Sequence, residues 1–190
     1  VADGNTVRDF GAEEKKRKVS VASAMACFDW RDRKVNIIDT PGLFDFEGGR
    51  AEGLRAAESV IVVLSCGHNV DVGAEKTLRA AGRKGLSKFI VVTKCDGEDR
   101  DFFKTLNSLK DKYGTAICPV VIPYVVGGKV DCYVNFLQNK AFKYDNGKAT
   151  EVPMPSDALI DDIHAAFTEA VASADDELMM KFFDGEEFTH

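Results

Sequence analysis

Two short segments carry residue types that can do chemistry. Asp39-Thr-Pro-Gly42 follows the apolar run Val35-Asn-Ile-Ile38, and Thr93-Lys-Cys-Asp96 follows Phe89-Ile-Val-Val92. A carboxylate such as Asp39 orients a magnesium ion, commonly through water, because magnesium keeps part of its hydration shell. Gly42 offers a backbone N–H with no side chain in the way, which suits a terminal phosphate oxygen. Ionised, Asp96 accepts two hydrogen bonds from the N1 and N2 hydrogens of guanine, a donor pair that adenine lacks. Lys94 has an apolar stem that can cover a base while its ammonium stays in water. Taken singly, an Asp after an apolar strand is often only a cap for the next helix. The order and spacing of the two segments, on consecutive elements, strengthen the chemical reading.

These residues need a frame. Residues 19–28 read as a strand, Trp30-Arg-Asp-Arg33 as a tight turn and Val35–Ile38 as the returning strand, which makes a hairpin. The period then changes. Residues 49–58 read as a helix, 60–65 as an apolar strand, 74–84 as a helix, 88–93 as an apolar strand, 99–113 as a helix and 116–123 as a further strand. Apolar strands alternating with amphipathic helices imply a parallel sheet between helices. Ligands of such sheets bind beyond the carboxyl ends of the strands, where both segments fall. After residue 123 the alternation stops. Gly127-Gly128 marks a turn, residues 130–145 read as a two-stranded piece and Val152-Pro-Met-Pro155 as a linker. Ser156 is placed to cap a helix to Ala172, and a shorter helix follows from Ser173 through Phe183. The charge run Glu13–Lys18 reads as a solvated loop.

Composition narrows the class. The 190 residues carry 25 Lys+Arg and 31 Asp+Glu, a net charge of −6, and are 45% hydrophobic. That is enough apolar material for a core and excludes disorder throughout. No apolar run approaches the ~18 residues of a membrane span, and an acidic chain grips nucleic acid poorly by charge. The five cysteines, Cys27, Cys66, Cys95, Cys118 and Cys132, have no Cys-x-x-Cys spacing, which argues against zinc and against a disulfide framework. Reduced thiols, several in the core, and a cytoplasmic setting are expected. Trp30 reads as a packing residue, and the scattered His68, His164 and His190 carry no metal-ligand spacing.

The two segments and their surroundings resemble the guanine-nucleotide-binding domain of translational GTPases, most closely the elongation factor G family. Arg17-Lys-Val-Ser-Val-Ala-Ser-Ala24 is similar to the end of its first switch, and Val35–Phe46 to the strand entering the second. Leu54-Arg55 falls on the second-switch helix. Pro119–Pro123 and Asp175–Thr189 resemble the entry and closing helix of the subdomain which that family inserts. The resemblance implies an α/β, P-loop-NTPase-like core of mostly parallel sheet with helices on both faces and one antiparallel edge hairpin. Residues 1–123 would be an N-terminally truncated core from the first switch onward, and 124–190 the inserted α+β subdomain. It implies nucleotide contacts from Asp39, Gly42, Thr93, Lys94 and Asp96, and magnesium contacts from Ser20 and Asp39. The implied cofactors are GTP or GDP with Mg2+, and the implied partner is the ribosome, with no role for DNA or membrane.

Three positions depart from the family pattern. Ser20 stands where the family has a magnesium-binding threonine, and its hydroxyl can serve equally. Thr93 replaces an asparagine. Leu43 replaces the histidine that positions the attacking water, and leucine has no proton chemistry. The phosphate loop Gly-x-x-x-x-Gly-Lys-Ser/Thr does not occur: Gly128-Lys129 and Gly147-Lys148 are followed by Val and Ala. The chain reads as a fragment that by itself holds nucleotide weakly or not at all and hydrolyses none, and whose open sheet edge invites self-association. A non-hydrolysing ribosome- or protein-binding module is the alternative. A receiver-like domain, with Asp39 as phosphoacceptor, fails on the missing early acidic pair.

Overall fold

The computed structural model describes residues 6–97, 100–173, 177, 179 and 180. They divide into two compact units, Val1–Leu64 with Asp71–Val91 and Ser65–Val70 with Val92–His190.

The first unit opens with a helix, α1 (Ala12–Arg17), where a loop was expected. Its acids lie in the first turn and its bases in the last, which suits the helix dipole. Glu14 is buried and reaches back to the Gly11 N–H (3.0 Å), while its other oxygen accepts from Val21 and Ala22 N–H (3.0 and 3.2 Å). Because those amides serve Glu14, residues 19–23 stay out of the expected strand. β1 (Ala24–Trp30) pairs antiparallel with β2 (Arg33–Asp39). The turn between them places Arg31 and Asp32 at φ 45 and 59, the positive pair that a two-residue hairpin requires. Trp30 is exposed, with the Arg31 guanidinium 5.5 Å from its ring centre, so it does not pack in a core.

A 3-10 turn (Phe44–Phe46) leads into α2 (Glu47–Ala56). β3 (Ser59–Ser65) and β4 (Ser87–Thr93) hydrogen-bond to each other and are joined through α3 (Val72–Arg83), the crossover that parallel neighbours need. Asp71 caps α3 by accepting from Ala74 N–H (2.7 Å). On one face of this pair Val62 and Leu64 are buried, as are Leu54, Ala74, Leu78 and Ala81 from the helices. The other face carries Ile61, Val63, Phe89 and Val91, exposed at 65, 61, 62 and 43%.

The second unit holds α4 (Phe102–Tyr113) and a four-stranded antiparallel meander. Its strands are β5 (Val121–Val126), β6 (Lys129–Asn135), β7 (Lys140–Asp145) and β8 (Lys148–Val152). One expectation changes here: a 3-10 turn at Gly114–Ala116 delays the strand expected at 116–123, and that strand joins the meander. The two strands expected within residues 130–145 are β6 and β7; β5 extends their sheet on one side, and Asn146-Gly147, at φ 47 and 80, closes a hairpin to β8 on the other. α5 (Ala158–Ala172) is capped by Asp157, not Ser156: the Asp157 carboxylate accepts from Leu159 N–H (2.9 Å). Ile160, Ile163 and Phe167 on α5 pack with Ile122, Val134, Phe136 and Ala141 to form the core. Most of the shorter helix expected from Ser173 to Phe183 lies outside the described residues.

Candidate functional site

In the first unit, β2 delivers Asp39 to the open end of the hairpin, opposite Ala24. Its carboxylate pairs with Arg8 Nε at 3.0 Å. The residue after Arg8, Asp9, takes the Ser20 hydroxyl on Oδ1 (2.7 Å) and the Thr6 hydroxyl on Oδ2 (2.9 Å). These two hydroxyls hold the Asp9 carboxyl below its ordinary range, with a smaller contribution from Arg8. Ser20 and Asp39, the expected magnesium contacts, are thus gripped by adjacent residues of one segment. Both are hard oxygen donors, the type magnesium takes alongside phosphate and water. To meet a cation they would exchange Asp9 and Arg8 for it. Among the described residues no three His, Cys, Asp or Glu side chains converge as a metal cluster.

The loop after Asp39 is set by glycines that sequence reasoning passed over. A Cβ at Gly53 would lie 2.5 Å from Thr40 Cγ2, and one at Gly49 would lie 2.8 Å from Ser23 Oγ and 3.2 Å from Pro41 Cδ. Helix α2 therefore lies against the loop at a distance only glycine allows. The signal was present: glycines within a helix cost stability unless something approaches closely. Ser23 Oγ also donates to Gly49 O (3.1 Å). Gly42 is the opposite case: exposed, with nothing within 4 Å of a would-be Cβ. Its N–H is open to a group from outside the chain. Leu43 is 49% exposed, and its carbonyl accepts from Phe46 N–H (3.1 Å).

In the second unit, Lys94 takes φ 61 just after β4 ends, a left-handed kink uncommon outside glycine. The kink leaves Lys94 and Asp96 exposed and turns Cys95 inward. Burial, and next the Cys66 thiol, push Cys95 up to about 12, so it is an inert packing group. Cys66 N–H donates to Thr93 O (2.9 Å), which ties residue 66 to the end of β4. Arg100 Nη1 lies 2.9 Å from both Cys66 O and His68 Nε2. The fully buried Thr105 accepts from Gly67 N–H (3.0 Å) and donates to His68 O (3.0 Å). Arg100 and Thr105 thus brace the residue 66–68 loop that Cys66 ties to Thr93, and neither was singled out from sequence, since their partners are distant along the chain. Of the thiols expected in the core, Cys66 is buried, Cys118 is half-buried and Cys27 is exposed.

A paired strand set with a helical crossover, followed by an antiparallel meander under a helix, is the fold of an α/β G domain with mixed content. The elongation factor Tu GTP binding domain model matches residues 1–186, and the chain belongs to that family of translational GTPase domains. An elongation factor G-like protein of Thermotoga maritima is 30% identical over 179 residues, which are 94% of this chain and 26% of the relative. A solved structure of a Thermus thermophilus protein matches with a TM-score of 0.87 at 31% identity, over 98% of this chain and 28% of that one. The chain spans about a quarter of the length of these relatives. No helix among the described residues is long and apolar enough to cross a membrane.

Proposed function

We propose that this chain is the guanine-nucleotide-binding portion of an elongation factor G-like translation factor, a cytoplasmic protein that acts on the ribosome in translocation. Asp39, with Ser20, would hold Mg2+; Gly42 N–H would meet the terminal phosphate; Thr93, Lys94 and Asp96 would hold the guanine base. The phosphate loop that this sequence lacks would come from a longer polypeptide, and the 190 residues alone would bind GTP or GDP weakly. Residues 124–190 would be the family's inserted subdomain.

One observation carries the reading. Gly42, just past the end of β2, and Lys94 and Asp96, just past the end of β4, are exposed, and no fold role needs the charges of Lys94 and Asp96. Bound Mg2+ would supply charge neutralisation at the phosphates. The chain's own contribution is to orient the carboxylate of Asp39 and the amide of Gly42, and to select the base at Asp96. Leu43 supports a second reading: an apolar side chain at the water-positioning place suits a module that binds without rapid turnover.

The test is Asp96→Asn in the intact protein. Each charge-assisted bond is worth ~1.5–3 kcal/mol, so GDP affinity should fall at least about tenfold. Xanthosine diphosphate, which presents an oxygen where guanine has its amino group, should gain affinity. GDP binding unchanged by the substitution would remove Asp96 from the site.

A further inference from the structure

We propose that the cleft between α2 and α3 is a docking site for an acidic amphipathic peptide segment of a partner protein. The cleft encloses about 400 Å³. Arg50 on α2 and Lys76, Arg79 and Arg83 on α3 line it, against a single acid, Glu47. The chain as a whole is acidic, at −6, so this is a local reversal of sign. Such a reversal steers and selects an anionic partner.

The bases fall into two groups. Glu47 accepts from Arg50 Nη2 (2.7 Å) and pairs with Lys76 Nζ (3.6 Å), and Lys76 Nζ also stands 4.3 Å from the centre of the Phe44 ring. That cluster is largely compensated and sets the wall of the cleft. Arg79 and Arg83 lie one helical turn apart and both are exposed. They are spaced to meet two carboxylates on one face of a partner helix. Lys84 Nζ reaches the Leu54 carbonyl (3.4 Å), across from α3 to α2 at the same end.

The floor decides between anionic partners. Leu54 is buried at its base, flanked by Ala51 and Ala80. A phosphate backbone has nothing to place on an apolar floor between two helices. A peptide helix with leucine on one face and glutamate beside it fills the floor and meets the arginines together.

The experiment uses the full 190-residue chain and a fluorescein-labelled helical peptide with leucines on one face and glutamates on the other. Binding is read by anisotropy at low salt. The parent chain should bind. Arg79→Glu with Arg83→Glu should weaken binding at least about tenfold, whereas Arg79→Lys with Arg83→Lys stays within about threefold. Lys148→Glu, a charge reversal in the other unit, should leave binding unchanged. A peptide with serine for leucine leaves the protein untouched, and it should lose most of the affinity. Any of four results overturns the proposal: no binding by the parent, equal binding by the Arg79→Glu/Arg83→Glu chain, equal binding of the serine peptide, or equal competition by a single-stranded RNA of matched charge.

Discussion

Glu14 satisfies three backbone amides, of Gly11, Val21 and Ala22, with one carboxylate. The hydrogen bonds from Val21 and Ala22, then Gly11, hold its carboxyl below the ordinary value of 4.5. A depressed folded-state value means the ionised form is preferred in the fold. The contribution is therefore complete above 4.5 and is lost as pH falls through the lower folded value. Glu14→Gln should lower the melting temperature at pH 7 and flatten its decline between about pH 5 and 3. A melting profile that falls as steeply as the parent's would place the acid sensitivity elsewhere. At Leu43 the prediction concerns turnover. A polar group that positions water contributes ~10²–10⁴-fold, and leucine can only exclude solvent. On the function proposed above, Leu43→His in the intact protein should raise GTP hydrolysis measured with ribosomes present and leave nucleotide affinity nearly unchanged. Turnover that falls, or does not move, would assign Leu43 to a different arrangement.

In helices α2 and α3 the same substitution should act with opposite signs. Gly82 in α3 has nothing within 4 Å of a would-be Cβ, so Gly82→Ala should stabilise by ~0.5–1 kcal/mol through the unfolded chain. Gly53→Ala in α2 brings the new methyl 2.5 Å from Thr40 Cγ2. Overpacking of this kind costs ~1–3 kcal/mol, which outweighs the helix-propensity gain. Adding Thr40→Ser removes that methyl and should recover most of the loss in chemical denaturation. If the double variant is as unstable as the single one, the close approach of α2 to the Thr40–Gly42 loop is not what requires glycine. The elements themselves were largely legible: apolar strands at 59–65 and 87–93 and helices at 72–83 and 102–113 follow from local periodicity. The two strand-end segments were legible for the same reason. What escaped were consequences of distant partners. The carboxylate of Glu14 withdraws residues 21 and 22 from a strand, Arg8 and Asp9 grip Asp39 and Ser20, and the residue-66 loop depends on Thr105 and Arg100. The cap of α5 moved by one residue because Ser156 and Asp157 offer the same chemistry side by side.

The molecule is a family member that spans about a quarter of the length of its matched relatives, and its first unit keeps one apolar sheet face in solvent. Ile61, Val63, Phe89 and Val91 alternate with the inward residues of β3 and β4. Charge cannot substitute for cover on such a face, and a patch of this kind favours association. It also has a calorimetric consequence. The heat-capacity rise on unfolding comes chiefly from newly wetted apolar surface, at ~0.45 cal/K/mol/Å², and these four side chains are already wet in the fold. The isolated chain should unfold with a heat-capacity increment below the ~12–15 cal/mol/K per residue of ordinary domains. Its stability curve should accordingly be flatter, shallow against both warming and cooling, and differential scanning calorimetry at several pH values would measure that curvature directly.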